Sequence, residues 1–220
     1  EDKENYEFHE IDICDAFLLN SLFEHYNVDG VIHLAAESHV DRSFIYKELF
    51  YKTNVTGVKV LLDASLKYKA KRFHQVSTDE VYGQLPLDDL DLSFTEESPL
   101  NPTTPYSKSK RDADLLILDY IKKEDIDVTI SRSANNYGIY QHPEKLIPKT
   151  VKMALNKENI TIYGSGLNIR DWLYVADHCI AIDLILHKGS KGEIYNVGAN
   201  KEYTNIEIIK MVLNELKIVD

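Results

Sequence analysis

Three short strand-like runs alternate with two long stretches of helical period, and that alternation leaves few folds open. Residues 28–34 (VDGVIHL) are nearly all apolar across VIHL, which suits a parallel strand covered on both faces. KRFHQVS predicts a second strand over 72–77, and DVTISRS a third over 127–132. Between them, Leu49, Val55, Val58, Leu61, Leu62 and Leu66 recur at helical spacing in 46–69. Leu115, Leu116, Leu118 and Ile121 do the same in 106–123. Strand, helix, strand, helix, strand with short joins predicts an α/β fold built on a parallel sheet. A short strand at 6–8 and a helix over 15–26 lead in, and a loop over 36–43 follows the first apolar run.

Residues 84–105 break the rhythm. Their four prolines and many acids exclude regular core structure, so a loop is expected there. After Tyr137 the pattern changes. NNYGIYQHPEKLIP (135–148) reads as a loop, 146–156 as a short helix and ITIYG (160–164) as a strand. Residues 171–187 read as a helix and EIYNVG (193–198) as a late strand. The chain closes on a helix that Thr204 or Asn205 would cap. These elements place a larger domain over 1–137 and a smaller one over 138–220, with 171–195 expected to pack back on the first.

The net charge of -11 argues against nucleic acid or an anionic membrane surface as partner. A few local donors can still hold a diphosphate. Cys14 and Cys179 show neither metal spacing nor a disulfide framework, so no metal site is expected and reduced thiols are. EDKENYEFHE lacks the build of a signal peptide, and no apolar run approaches the ~20 residues that cross a bilayer. A cytoplasmic, soluble protein is expected.

Two clusters invite chemistry. Tyr106 and Lys110 lie one helical turn apart in YSKSK, on one face. A phenol titrates near pH 10, and an ammonium at that spacing is expected to lower this value. The pair then deprotonates a hydroxyl while hydride leaves its carbon. The pattern Y-x-x-x-K also arises by chance in many helices. Ser77, Thr78, Asp79 and Glu80 end the second strand, and doubly wound sheets bind ligands beyond such strand ends. Adjacent carboxyls push their pKa values apart, which suits one to act as acid and the other as base. An acid pair at a strand end also commonly caps a turn. His33 reads as a core or strand-end histidine, while Ala35 and Ala36 are small enough for a cofactor to approach the backbone. Asn135 and Asn136 offer amides, and Lys145 and Arg170 suit a diphosphate. Tyr163 is either a ring that stacks on a base or a core aromatic.

VIHLAAESHVDRS, TNVTG, FHQVSTDEVYG, PYSKSK, NNYG, PEKLIPK and RDWLYVADH stand in that order. Together they resemble the extended short-chain dehydrogenase/reductase family, and within it the nucleoside-diphosphate-glucose 4,6-dehydratases, those acting on dTDP-glucose most of all. The resemblance spans about residues 9–205. It implies a Rossmann-like sheet with a small substrate domain, NAD as cofactor, and a nucleoside-diphosphate sugar as substrate. It implies that Tyr106 takes the C4 hydroxyl proton as hydride passes to NAD, that Lys110 steadies the phenolate, and that Thr78 positions the sugar. Glu80 then removes the C5 proton, Asp79 protonates the departing C6 hydroxyl, and hydride returns to C6. Asp12, Ile13, Ala35, Ala36, Ser38, Thr53 and Ser77 would line the cofactor together with Tyr106, Lys110 and Asn136. Asn135, Lys145, Leu146, Tyr163, Arg170 and Asn196 would hold the nucleotide part of the substrate. A homodimer through helices 46–69 and 106–123 is implied as well.

Related 4-epimerases are similar around Tyr106 and Lys110, but carry a small residue or serine in place of the acids. UDP-glucuronate decarboxylases lack the aspartate. The acid pair therefore favours elimination, with UDP-glucose as an alternative donor. A non-catalytic binding module of the same fold would need Tyr106 and Lys110 turned away from the cleft. No G-x-G-x-x-G occurs in the 220 residues. A chain that starts after the first strand and glycine-rich loop is expected, with its substrate domain cut short and no activity by itself. Ala134, Ile139 and His142 stand where the family commonly has serine, proline and phenylalanine.

Overall fold

The computed structural model describes residues 4–85, 92–162 and 164–218. In chain order it runs α1 (Ala16–Tyr26), β1 (Gly30–His33), α2 (Val40–Ile45), α3 (Lys47–Tyr51), a π-helical turn (Lys52–Thr56) and α4 (Gly57–Lys67). Then come β2 (Arg72–Thr78), a 3-10 turn (Asp79–Val81), α5 (Pro105–Lys123), β3 (Val128–Ser133) and β4 (Asn135–Tyr137). The remainder is α6 (Leu146–Leu155), β5 (Ile169–Tyr174), α7 (Val175–Lys188), β6 (Ile194–Val197), β7 (Glu202–Thr204) and α8 (Asn205–Glu215). The chain forms two compact units. One is Glu1–Ser131 with Ile185–Tyr195, the other Arg132–Leu184 with Asn196–Asp220.

A four-stranded sheet has the order β1-β2-β3-β6. β1 and β2 are parallel, in register from Gly30↔Arg72 to His33↔Gln75. The parallel Rossmann-like α/β expectation is met. The core of the first unit forms where α1, α4 and α5 lay apolar stripes on the strands. Leu19 and Phe23 of α1, Val58, Leu61 and Leu62 of α4, and Ala113 and Ile117 of α5 meet Phe73, Val128 and Ile130. The centre of the sheet is polar in places. His74, fully buried, bonds Thr129 Oγ1 at 2.9 Å and Ser131 Oγ at 3.1 Å, as burial of a ring nitrogen requires.

In the second unit a three-stranded sheet has the order β4-β5-β7. β4 runs parallel to β5, and β5 antiparallel to β7. Thr204 caps α8 reciprocally with Glu207, as the sequence suggested.

Several expectations are corrected. Residues 6–8 form no strand, and Phe8 is exposed. β1 is shorter than 28–34 and is not covered on both faces: Ile32 is 42% exposed, because β1 lies at the end of the strand order. The 36–43 loop gives way to α2 at Val40. The helix expected over 46–69 begins at Lys47 and is interrupted between α3 and α4 by the π-helical turn that sends Asn54 inward. NNY is a strand, not a loop. Residues 160–162 form none, and Tyr163 lies outside the described residues. The helix expected from 171 begins at Val175, because IRDWLY is drawn into the sheet between β4 and β7; tertiary pairing outweighs local pattern.

The helix that carries the tyrosine–lysine pair is well started. Thr104 Oγ1 accepts from Ser107 N at 3.0 Å, Ser107 Oγ accepts from Thr104 N at 3.1 Å, and Pro105 takes the first turn. Thr104→Ala removes one arm of this box and is expected to destabilise the full-length protein by about 1 kcal/mol. Thr104→Asp restores most of it. The urea midpoints of the two variants check this.

Candidate functional site

The end of β2 turns sharply into the acid pair. Thr78 is extended, its Oγ1 accepting from Glu80 N at 3.3 Å and donating to Asp79 Oδ1 at 3.3 Å. The turn leaves through Gly83, whose φ of 97° and closeness to the Asn101 carbonyl leave no room for a side chain. Asp79 and Glu80 thus do cap a turn. That turn also holds them at the C-terminal end of a parallel strand.

Tyr106 stands beside them. Its phenol is hydrogen-bonded to the Thr78 side chain and feels the charges of Glu80, Asp79 and Asp114. Its pKa is raised well above the ordinary phenol value. Burial is the largest cause, the Glu80 carboxylate adds to it, and the Thr78 bond opposes it in part. This corrects the expectation of a lowered value. The reason is burial; the Lys110 ammonium donates to the Val76 carbonyl of β2 at 2.8 Å. Lys110 is 4% exposed, and burial pushes its pKa down to about 8, with Asp114 opposing. Thr78, Asp79, Glu80 and Tyr106 are therefore one cluster, with Lys110 behind it and buried Ser77 next in the strand.

At the end of β1, His33 is buried against β2. Its Nδ1 lies 2.8 Å from Gln75 Oε1, while Gln75 Nε2 donates to the Val76 carbonyl. An amide oxygen only accepts, so Nδ1 carries the proton. Nε2 is left buried with no hydrogen-bond partner among the described residues. Burial, with Lys110 contributing, lowers this histidine to about 4 against a Gln75 bond that raises it. Beyond His33, Ala35 and Ser38 are exposed and Ala36 is half-buried.

Further along, Asp12 accepts from Cys14 N at 2.9 Å and pairs with Lys52 at 3.5 Å. The Cys14 backbone bond is the main cause of its lowered pKa. Ile13 packs against Gly57, where a Cβ would stand 2.5 Å from Cδ1. Thr53, next to Lys52, is half-buried in the π-helical turn. Asp12, Ile13 and Thr53 thus share one edge of the first unit.

Sequence reasoning missed Asn54. Its Oδ1 accepts from Glu37 N at 2.9 Å, and its Nδ2 donates to Glu37 O at 3.0 Å and Ser109 Oγ at 2.9 Å. It ties the loop after β1 to α5. An asparagine amid helical spacing was the available signal, since its side chain competes with helix bonds.

For a nicotinamide dinucleotide, the first unit offers a matching set at the C-terminal strand ends: a buried ammonium, an unused imidazole lone pair and two alanines beside open backbone. These residues fit the nicotinamide and ribose half. The pyrophosphate half normally takes a glycine-rich loop, which this sequence does not contain.

The remaining candidates lie in the second unit. Asn135 and Asn136 belong to β4, with Asn136 pairing with Leu173. His178 Nδ1, missed from the sequence, lies 2.8 Å from Asn136 Oδ1. Asn136 Nδ2 reaches the Ala134 carbonyl at 3.1 Å, so this side chain is held on both sides. Lys145 precedes α6 and Leu146 opens it. Arg170 lies on β5, donating to the Ile169 carbonyl at 2.7 Å, and Asn196 lies on β6.

Comparison with known proteins follows the same lines. The family model described as GDP-mannose 4,6 dehydratase matches residues 1–220. The low-salt glycan biosynthesis protein Agl12 of Haloferax volcanii is 46% identical over 212 residues, covering 96% of this chain and 66% of that protein. The dTDP-glucose 4,6-dehydratase of Haemophilus influenzae is 45% identical over 226 residues, covering 99% of this chain and 66% of that protein. A double mutant of the dTDP-glucose 4,6-dehydratase DesIV from Streptomyces venezuelae, solved with NAD bound, matches with a TM-score of 0.94 at 42% identity. That match covers 99% of this chain and 66% of the other. The chain thus spans just under two thirds of the length of these proteins.

The buried histidine has a consequence for acid stability. The folded value of about 4 lies below the ordinary 6.5, so the unfolded chain binds a proton first as pH falls. Stability present above pH 6.5 is lost as pH drops toward 4, by at most about 3 kcal/mol. His33→Asn is expected to flatten that acid limb between these values, as read from denaturation midpoints across pH.

Proposed function

This chain belongs to the GDP-mannose 4,6-dehydratase family, and on that premise we propose that it carries the acid–base groups of a nucleoside-diphosphate-glucose 4,6-dehydratase. The observation that carries this reading is the shared environment of Tyr106, Thr78 and the Asp79–Glu80 pair. Oxidation and re-reduction at C4 need one base. Elimination across C5 and C6 needs two more proton-transfer groups, and two carboxyls stand within electrostatic reach of the phenol. dTDP-glucose is the proposed donor, after relatives of 45% and 42% identity that bear its name.

The roles follow from chemistry and position. Tyr106 takes the C4 hydroxyl proton, and Thr78 orients that hydroxyl. NAD, when bound, would supply the hydride acceptor for C4, the hydride donor for C6 and a positive charge that favours the phenolate. Lys110 holds the ribose and keeps α5 in place. The C4 ketone acidifies C5–H, Glu80 removes that proton, and Asp79 gives one to the departing C6 hydroxyl, which leaves as water. Glu80 would return its proton to C5 as C6 is reduced, so the sugar loses one water overall. Tyr106 keeps its proton within the chain itself, because burial and Glu80 hold it there. Both must be offset at the moment of reaction.

Asp12, Ile13, Ala35, Ala36, Ser38, Thr53 and Ser77 are assigned to the cofactor, with Asn136. Asn135, Lys145, Leu146, Arg170 and Asn196 are assigned to the substrate nucleotide, as is Tyr163. The first unit then serves mainly NAD and the second mainly the substrate. The exposed apolar side chains Tyr46, Leu49 and Leu115 support a homodimer through helices 46–69 and 106–123. No described helix is long and apolar enough to cross a membrane, and a cytoplasmic location is the reading adopted.

Incubation of the full-length protein with dTDP-glucose is expected to yield a 4-keto-6-deoxy product that absorbs in alkali. Formation of a C4 epimer alone would overturn elimination. Glu80→Gln is expected to slow turnover by about 10²–10⁴-fold, with reduced cofactor accumulating because C4 oxidation survives. A fully active Glu80→Gln enzyme removes Glu80 from the base role.

A further inference from the structure

Strand β5 carries an acid that collects three consecutive backbone amides. Asp171 Oδ2 accepts from Ala199 N at 2.7 Å and Asn200 N at 3.3 Å, and Oδ1 accepts from Lys201 N at 2.8 Å. The approach is close. A Cβ on Gly198 would stand 2.5 Å from Oδ2, so a side chain there would displace the carboxylate. Asn200 takes the left-handed conformation, with φ of 53°. A backbone bond closes the other side of the turn, Trp172 N donating to the Lys201 carbonyl at 3.1 Å.

The turn at 198–201 is the exit from β6. Val197, the last residue of β6, accepts from Ala134 N at 2.9 Å. After the turn, β7 pairs with β5, placing Tyr203 opposite Arg170 and Glu202 opposite Asp171. The backbone on both sides of Asp171 is therefore registered to it. Arg170 is its neighbour on β5, and Asn196 lies two residues before the turn it holds. Every group facing this carboxylate from the turn is an N–H donor. An asparagine would meet at least one of them with its own NH₂, so the site calls for an anion rather than any polar side chain.

We propose that Asp171 is a positioning residue for the nucleoside-diphosphate part of the substrate: by gathering the amides of 199–201 it sets Asn196 and Arg170 in one frame. This rests on the substrate-side assignment of Arg170 and Asn196 made above. The acid itself touches no substrate. Its loss affects binding, because two substrate contacts lose their common register, and leaves the proton-transfer groups of the first unit alone.

The experiment uses the full-length protein and its Asp171→Asn and Gly198→Ala variants. Gly198→Ala displaces the carboxylate without removing its charge, and decides the matter should Asp171→Asn fail to fold. Amide hydrogen exchange at 199–201, calorimetric binding of dTDP and UDP, and kcat and KM for the nucleotide sugar are measured. Faster exchange, dTDP binding weakened about tenfold, and a KM that rises with little change in kcat are expected. A folded variant that binds dTDP as tightly as the parent overturns the proposal, whatever its exchange does. A fall in kcat at constant KM overturns it too. A parent protein that binds neither dTDP nor UDP overturns the functional reading itself, and this proposal with it.

Discussion

A buried ammonium bonded to a strand carbonyl sets the geometry of the first unit. Lys110 reaches from α5 to the Val76 carbonyl of β2. That bond holds the helix against the end of the strand, so Tyr106, one turn earlier, stands beside Thr78. The arrangement costs stability. An ammonium at 4% exposure has lost most of its hydration, and its pKa falls to about 8 as a result. One strand carbonyl and the charge of Asp114 offset only part of that loss. A hydrophobic side chain would pack there at lower cost. Strongly shifted, buried charges of this kind cluster at functional sites, which is one ground for the reading proposed above.

The same burial acts on the phenol in the opposite sense. Low polarity disfavours charge of either sign, so Lys110 is pushed toward its neutral amine and Tyr106 toward its neutral phenol. Glu80 reinforces the second effect. The phenol of the cluster is thus held in its protonated form.

The second unit is organised differently. Its candidate contacts are held by hydrogen bonds from neighbouring polar side chains, not by burial of charge. His178 holds the Asn136 amide, and Asp171 holds the turn after Asn196. Loops held this way keep their shape without a large apolar core, which a unit built on short strands cannot supply. The cost is that a single lost acceptor releases several donors at once.

Much of this was legible in the chain before any coordinates. The alternation of apolar strand runs with helical spacing determined a parallel α/β sheet, because that period reports which face each residue buries. The Tyr106–Lys110 spacing determined a shared helix face, and the order of motifs determined the family. Other points depended on tertiary structure. Asn54 sits within helical spacing, and only a π-helical turn brings it to the loop it holds. The residues of β4 and β5 look like loop and helix until they pair with each other. The rise in the Tyr106 pKa depends on burial, which spacing along a helix does not report. Local sequence reports period and proximity along the chain, whereas the direction of a side chain and the water around it depend on residues far apart in sequence, which only the fold brings together.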